Sequence, residues 1–92
     1  MKYNIELRDS NSELYRDKEG FYITSNQFSF IGDDNDSDAR IESNCYKLAE
    51  NFKSVTKPGT KITVEVCMFN TISSTWMQVY SLYYEEKRFI KH

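Results

Sequence analysis

Residues 37–55 read SDARIESNCYKLAENFKSV, and Pro58-Gly59 follows almost at once. Within this stretch Ile41, Cys45, Leu48, Phe52 and Val55 recur at spacings of 4, 3, 4 and 3. An α-helix returns to the same face about every 3.6 residues, so these five side chains make one apolar stripe. Asp36 or Ser37 stands where a side-chain oxygen accepts from the unpaired amides of the first turn. Asp36 and Asp38 complement the positive end of the helix dipole, and Lys53 and Lys57 sit at or just beyond its negative end. Pro58-Gly59 stops the helix and turns the chain. The stretch therefore predicts one long helix over 37–55, with a single stripe that needs a surface to cover.

The flanking segments supply that surface. From Lys2 to Arg8 the residues alternate: Tyr3, Ile5 and Leu7 on one face, Lys2, Asn4, Glu6 and Arg8 on the other, the pattern of a half-buried strand. A polar turn at 9–12 leads to a short strand at 13–16. Asp17-Lys18-Glu19-Gly20 is a hairpin turn with Gly in a left-handed position. Strands at 21–24 and 28–31 follow, interrupted by Ser25-Asn26-Gln27. After the helix, residues 60–69 place Ile62, Val64, Val66 and Met68 on one face and Thr63, Glu65, Cys67 and Phe69 on the other. Strict alternation over 76–84 puts Trp76, Tyr80, Leu82 and Tyr84 together, opposite Met77, Val79 and Tyr83. Both faces of that strand are apolar or aromatic, so it is either covered twice or exposes an aromatic platform. Phe89-Ile90 adds a short last strand. The expected fold is one α+β domain over 1–92, an antiparallel sheet of four to five strands with one long helix packed on one face, in the order β-β-β-α-β-β. Ile41, Leu48 and Phe52 would meet Val64, Val66, Tyr80 and Leu82 in its core.

Composition narrows the function. The chain has 92 residues, 39% hydrophobic and 28% charged, which suits one small globular domain and is too apolar for disorder. Its net charge of −2 argues against a general nucleic-acid binder. The charge is uneven: residues 1–46 carry −5 and residues 47–92 carry +3, which could give two surfaces of opposite sign. No apolar run approaches the ~20 residues that span a bilayer, and the N-terminus has no signal-peptide layout, so the expected location is the cytoplasm, with no membrane partner. Cys45 and Cys67 read as buried thiols in a reducing compartment.

No residue set is prepared for catalysis. The densest charge is Asp33-Asp34-Asn35-Asp36-Ser37-Asp38. Taken as a calcium loop from Asp34, it offers Ala39 where the sharp turn needs Gly and Cys45 where the loop needs a bidentate Glu, so the motif fails. Two cysteines and the terminal His92 do not complete a zinc site. His92 at a frayed end is a poor general base. Ser73-Ser74-Thr75 is loop composition, and no glycine-rich phosphate loop is present. The expectation is no enzyme, no cofactor and no metal. What remains is binding. Asp33, Asp34, Asp36 and Asp38 form either a solvated helix cap or a negative patch that docks on a basic partner. In the second case, changing all four to Asn would abolish binding and leave folding nearly intact. Tyr80, Tyr83 and Tyr84 with Trp76 could stack bases while Lys87, Arg88 and Lys91 hold phosphates. Core and edge packing explains the same rings, and Tyr83, Tyr84 and Arg88 equally suit a protein interface.

In overall character the chain resembles small proteins of bacteriophages and mobile elements, anti-CRISPR proteins in particular: a single acidic domain, rich in Asn, Ser, Tyr and Lys, without a catalytic motif. The resemblance spans the whole chain and is carried by no residue motif. It implies a non-enzymatic inhibitor that docks on a larger protein or ribonucleoprotein, a CRISPR effector complex, and blocks nucleic-acid binding or nuclease recruitment. The four aspartates would then contact a basic channel. The alternatives are a small nucleic-acid-binding domain that uses the aromatic sheet and the basic C-terminus, and a homo-oligomeric structural subunit; the chain is expected to be a monomer or a homodimer.

Overall fold

The computed structural model describes residues 2–8, 15–23, 30–33 and 35–92. The expected strands and turns at 9–14 and 24–29, and Asp34, lie outside the described residues. The fold is α+β: strands β1 (Lys2–Arg8) and β2 (Phe30–Asp33), helix α1 (Asp38–Lys53), then strands β3 (Thr63–Asn70), β4 (Thr75–Tyr83) and β5 (Arg88–Lys91). The five strands form one antiparallel sheet in the order β2-β1-β3-β4-β5. The order along the chain is thus β-β-α-β-β-β, with Arg88–Lys91 as the fifth strand. Of the hairpin expected at 13–24, the described part contributes only bridges, Arg16 to Tyr22 and Asp17 to Thr56. Its turn forms as expected: Gly20 has φ 92°, and the Asp17 side chain accepts from the Glu19 and Phe21 amides, 2.9 Å each.

Strand register decides which side chains meet the helix. Tyr3, Ile5 and Leu7 of β1 stand opposite Met68, Val66 and Val64 of β3, and Val66 and Val64 stand opposite Tyr80 and Leu82 of β4. Partners across a ladder share a face. All of these except Met68, which is half-buried, are buried, and they form the core with Ile41, Cys45, Ala49 and Phe52 of α1 and with Ile62 and Tyr15. The anticipated core residues are there, with Leu48 packed at the edge rather than inside.

The helix is shorter than its apolar pattern. Ser37 caps it, its hydroxyl accepting from the Arg40 amide at 3.2 Å, but the helix ends at Lys53. Val55 therefore falls in a turn and is exposed, and the buried stripe is Ile41, Cys45, Ala49 and Phe52. The chain leaves the helix early because Thr56 is the residue that goes inside: its hydroxyl and the Lys57 amide both donate to the Arg16 carbonyl at 2.9 Å. Ala49 has the smallest side chain in the stripe and lets the helix axis approach the sheet.

One irregularity reshapes β4. Its register against β3 shifts between Val66 and Cys67, so that Val66 pairs with Tyr80 but Cys67 with Gln78, leaving Val79 as an extra residue. A bulge of this kind breaks strict alternation. Trp76 therefore lies with Phe69, Gln78, Ser81 and Tyr83 on the face away from the helix, whereas Met77 lies with Met68 on the helix side.

Candidate protein-docking surface

The aspartates expected to form a patch are divided by the fold. Asp33 ends β2, and its side chain accepts from the Asn35 amide at 3.0 Å, a local turn brace. Asp36 accepts from the Tyr3 hydroxyl at 2.6 Å, and the Asn44 side chain donates to the same hydroxyl at 3.0 Å. Asp38 accepts a short hydrogen bond from the Tyr80 hydroxyl, with Lys91 3.7 Å from its second oxygen. Two core tyrosines, one from β1 and one from β4, thus end in carboxylates at the start of the helix. Tyr3 is pushed up to about 12, by burial first and then by the Asp36 hydrogen bond. Tyr80 is also pushed up to about 12, by the Asp38 hydrogen bond first and then by burial.

A phenol whose pKa is raised on folding contributes stability that is fully present below the ordinary Tyr value near 10 and is lost as pH rises through about 12. These contacts also revise the expectation for the four-Asn variant. Asp36→Asn alone is expected to cost about 1.5–3 kcal/mol, the usual worth of a hydrogen bond to a charged group. In a urea-denaturation cycle with Tyr3→Phe, the double variant should be hardly less stable than either single one. Full additivity would show that the two side chains do not act together.

The expected aromatic platform is also divided. Trp76 and Tyr83 are on the open face but at opposite ends of β4, whereas Tyr80 faces the helix, stacked on Phe89 at 5.0 Å between ring centroids. Tyr84 packs on the helix side beside Tyr46, 6.0 Å away. The ring faces already carry cations from the chain itself: Lys87 lies 4.3 Å and Lys53 5.2 Å from the Tyr84 centroid, and Arg88 lies 4.7 Å from that of Tyr83. Such contacts occupy the surfaces on which bases would stack. Arg88 does meet Tyr83 at the β4–β5 turn, with Tyr84 turned to the opposite face.

His92 is held rather than frayed. Its amide donates to the Val79 carbonyl at 2.8 Å, and its Nε2 lies 2.7 Å from Ser81 Oγ. That is a nucleophile-to-base distance, but Ser81 is fully buried and its Oγ also accepts from the Gln78 amide group at 2.8 Å, so no substrate reaches it in this arrangement. Cys45 is a buried thiol without a disulfide. Burial pushes the Cys45 thiol up to about 12, away from reactivity, and Cys67 is half-buried on the open face. Among the described residues no three His, Cys, Asp or Glu side chains converge as metal ligands, and no described helix is long and apolar enough to cross a membrane.

The surface with the clearest binding character is the end of the β3–β4 hairpin, of which the residue pattern singles out Trp76 alone. β1 pairs with β3 only as far as Met68, and β5 reaches β4 only as far as Val79, so the rest of the β3–β4 hairpin projects beyond the sheet. The molecule is accordingly elongated, 43 × 25 × 20 Å. At the hairpin end Ile72 is 96% exposed, Trp76 58% and Met77 48%. The tip is braced from within. Asn70 Oδ1 accepts from the amides of Ile72 and Ser73 at 2.9 and 3.2 Å, and Ser74 takes φ 54° to close the turn. Phe69 and Trp76 pack edge-on at 5.6 Å. The available signal was charge: residues 66–84 contain no Asp, Glu, Lys or Arg. In so charged a chain, that interruption marks a segment that water does not claim. Asp33 lies at this same end of the sheet, since Lys2 opposite Asp33 is one step from Tyr3 opposite Met68.

No family model matches the chain, and no similarity to a curated protein or to a solved structure was found.

Proposed function

We propose that this protein is a non-enzymatic interaction module that docks on a larger protein or ribonucleoprotein through the end of the molecule bearing the β3–β4 hairpin. The observation that carries the reading is the exposure of Ile72, Trp76 and Met77 on a braced, uncharged projection. Exposed apolar side chains grouped in this way mark association surfaces, and Trp is among the residues that contribute most when covered. Asp33 would meet basic groups around the site, a contribution to orientation and encounter rate more than to affinity. This role agrees with the inhibitor character that the chain resembles, a phage or mobile-element protein that sits on a defence complex and blocks its nucleic acid or nuclease.

The test uses the immobilised protein in nuclease-treated bacterial lysates that contain CRISPR effector complexes, with the eluate identified by mass spectrometry. The parent is expected to retain a stoichiometric protein partner, and the Ile72→Lys/Trp76→Lys variant to lose at least about tenfold in affinity, the effect of removing one hot-spot side chain or more. Far-UV circular dichroism should be unchanged, because both positions are outside the core. Retention of the partner by this variant would overturn the hairpin as the docking surface. In a parallel lysate without nuclease, recovery of nucleic acid with no protein partner would favour the basic end instead.

A further inference from the structure

At the other end of β4 from the hairpin, two positive charges meet on one ring. Lys87 Nζ lies 4.3 Å from the Tyr84 centroid and 5.4 Å from that of Tyr46, and Lys53 Nζ lies 5.2 Å from the Tyr84 centroid. We propose that Lys53 and Lys87 together bind a phosphate dianion, free or as the terminal phosphate of a nucleic-acid strand. The two lysines come from different elements, the last turn of α1 and the turn between β4 and β5. At 4.3 and 5.2 Å from one centroid, their nitrogens are no more than 9.5 Å apart. Both stems are exposed, so the two nitrogens can close on one anion at about 2.8 Å each.

The backbone is strained to bring the second charge there. Lys87 has φ 51°, in the left-handed region where a side chain is disfavoured and glycine is the usual residue. In that conformation its side chain returns over the ring of Tyr84, three residues earlier. The carboxylates of the same turn are committed elsewhere. Both Glu85 oxygens accept from the Ile62 amide, at 2.9 and 3.1 Å, and Glu86 pairs with Arg88 at 3.0 Å. Among the described residues neither Lys53 nor Lys87 makes an ion pair. The helix dipole accounts for Lys53 at the C-terminal end, but not for a second cation brought to the same ring from another element. Each ammonium group carries three N–H donors, and a ring face holds the cation without using them up. A phosphate dianion answers both charges at once and offers three acceptor oxygens. A carboxylate would suit the planar fork of Arg better than two separate point charges. The site is exposed and screened by salt, so inorganic phosphate is expected to bind at about 1 mM or weaker. It is independent of the hairpin, so its failure would leave the docking surface untouched.

Amide chemical shifts followed by NMR test the proposal, with inorganic phosphate titrated against sodium chloride of equal ionic strength at about pH 8, where the dianion dominates. Saturable shifts are expected at Lys53, Tyr84 and Lys87 with phosphate and not with chloride. Lys87→Gly removes the charge and relieves the left-handed strain. It should melt within a few degrees of the parent and bind at least about tenfold more weakly, the worth of one hydrogen bond to a charged group. Lys53→Gln, at an exposed helical position, should weaken binding to a similar extent and serves if Lys87→Gly misfolds. A short DNA strand with a 5′-terminal phosphate identifies the source. Tighter binding than inorganic phosphate assigns the site to a strand end, and no gain assigns it to the free ion. Equal binding of the same strand without its terminal phosphate, an equal response to chloride, or phosphate binding unchanged in both variants would refute the proposal.

Discussion

Gly32→Val is expected to lower the melting temperature by an amount on the order of 12–24 °C, or to prevent folding. Gly32 stands opposite Tyr3 in the β1–β2 ladder, and the Tyr3 ring lies across it. A Cβ added at Gly32 would sit 2.0 Å from the ring carbon that bears the hydroxyl. The ring has nowhere to go, because it is fully buried beneath the helix and its hydroxyl is tied to Asp36 and Asn44. Overpacking of a closed core costs about 3 kcal/mol at the upper end of the usual range. Each kcal/mol moves the midpoint of a domain this size by about 4–8 °C, which gives the expected fall. Thermal denaturation followed by circular dichroism measures it. The Tyr3→Val background supplies the control: with the ring gone, Gly32→Ala should cost little more than Tyr3→Val alone. If Gly32→Val melts within a few degrees of the parent, the ring does not lie where the register places it.

Phe52→Ala is expected to cost about 3–5 kcal/mol, the range for removing a buried aromatic side chain. Phe52 is fully buried at the last turn of α1 and meets the Tyr15 ring edge-on at 4.7 Å. Tyr15 in turn accepts from the Thr63 amide through its hydroxyl at 3.2 Å, and its carbonyl accepts from the Ile23 amide at 2.9 Å. Phe52 thus anchors both the helix end and the segment that runs past it to β3. Val55→Ala, one step further along the same apolar pattern, should cost less than about 0.5 kcal/mol, as exposed substitutions do. Chemical denaturation of the two variants reads the contrast directly. Equal costs would mean that the helix continues to Val55 and that the turn around Thr56 is wrong.

That contrast shows where the sequence was legible. Helix spacing and strand alternation report burial wherever one element has one covered face, and so β1, β3, the helix and most of the core followed from pattern alone. They fail where the backbone departs from its period. The bulge at Val66/Cys67 exchanges the faces of Trp76 and Met77 relative to Tyr80, and no local residue announces it. The early end of α1 is set by the contact of Thr56 and Lys57 with Arg16, forty residues back in the chain, which no window along the sequence contains.

The candidate site divides in the same way. The acidic run is visible at a glance, but its use is not: Asp36 and Asp38 reach Tyr3 and Tyr80 across the fold, and a one-dimensional pattern cannot distinguish a carboxylate held by a phenol from one offered to a partner. The uncharged run at 66–84 was equally available, and only the lengths of the neighbouring strands show that its middle stands clear of the sheet. Periodic burial is a local property of each element, so a small α+β domain with one helix on an antiparallel sheet is legible from the order of residues alone. Which charged and aromatic side chains are internal braces and which are surface depends instead on strand register and on where neighbouring strands stop, and both are settled by contacts between residues distant in the chain.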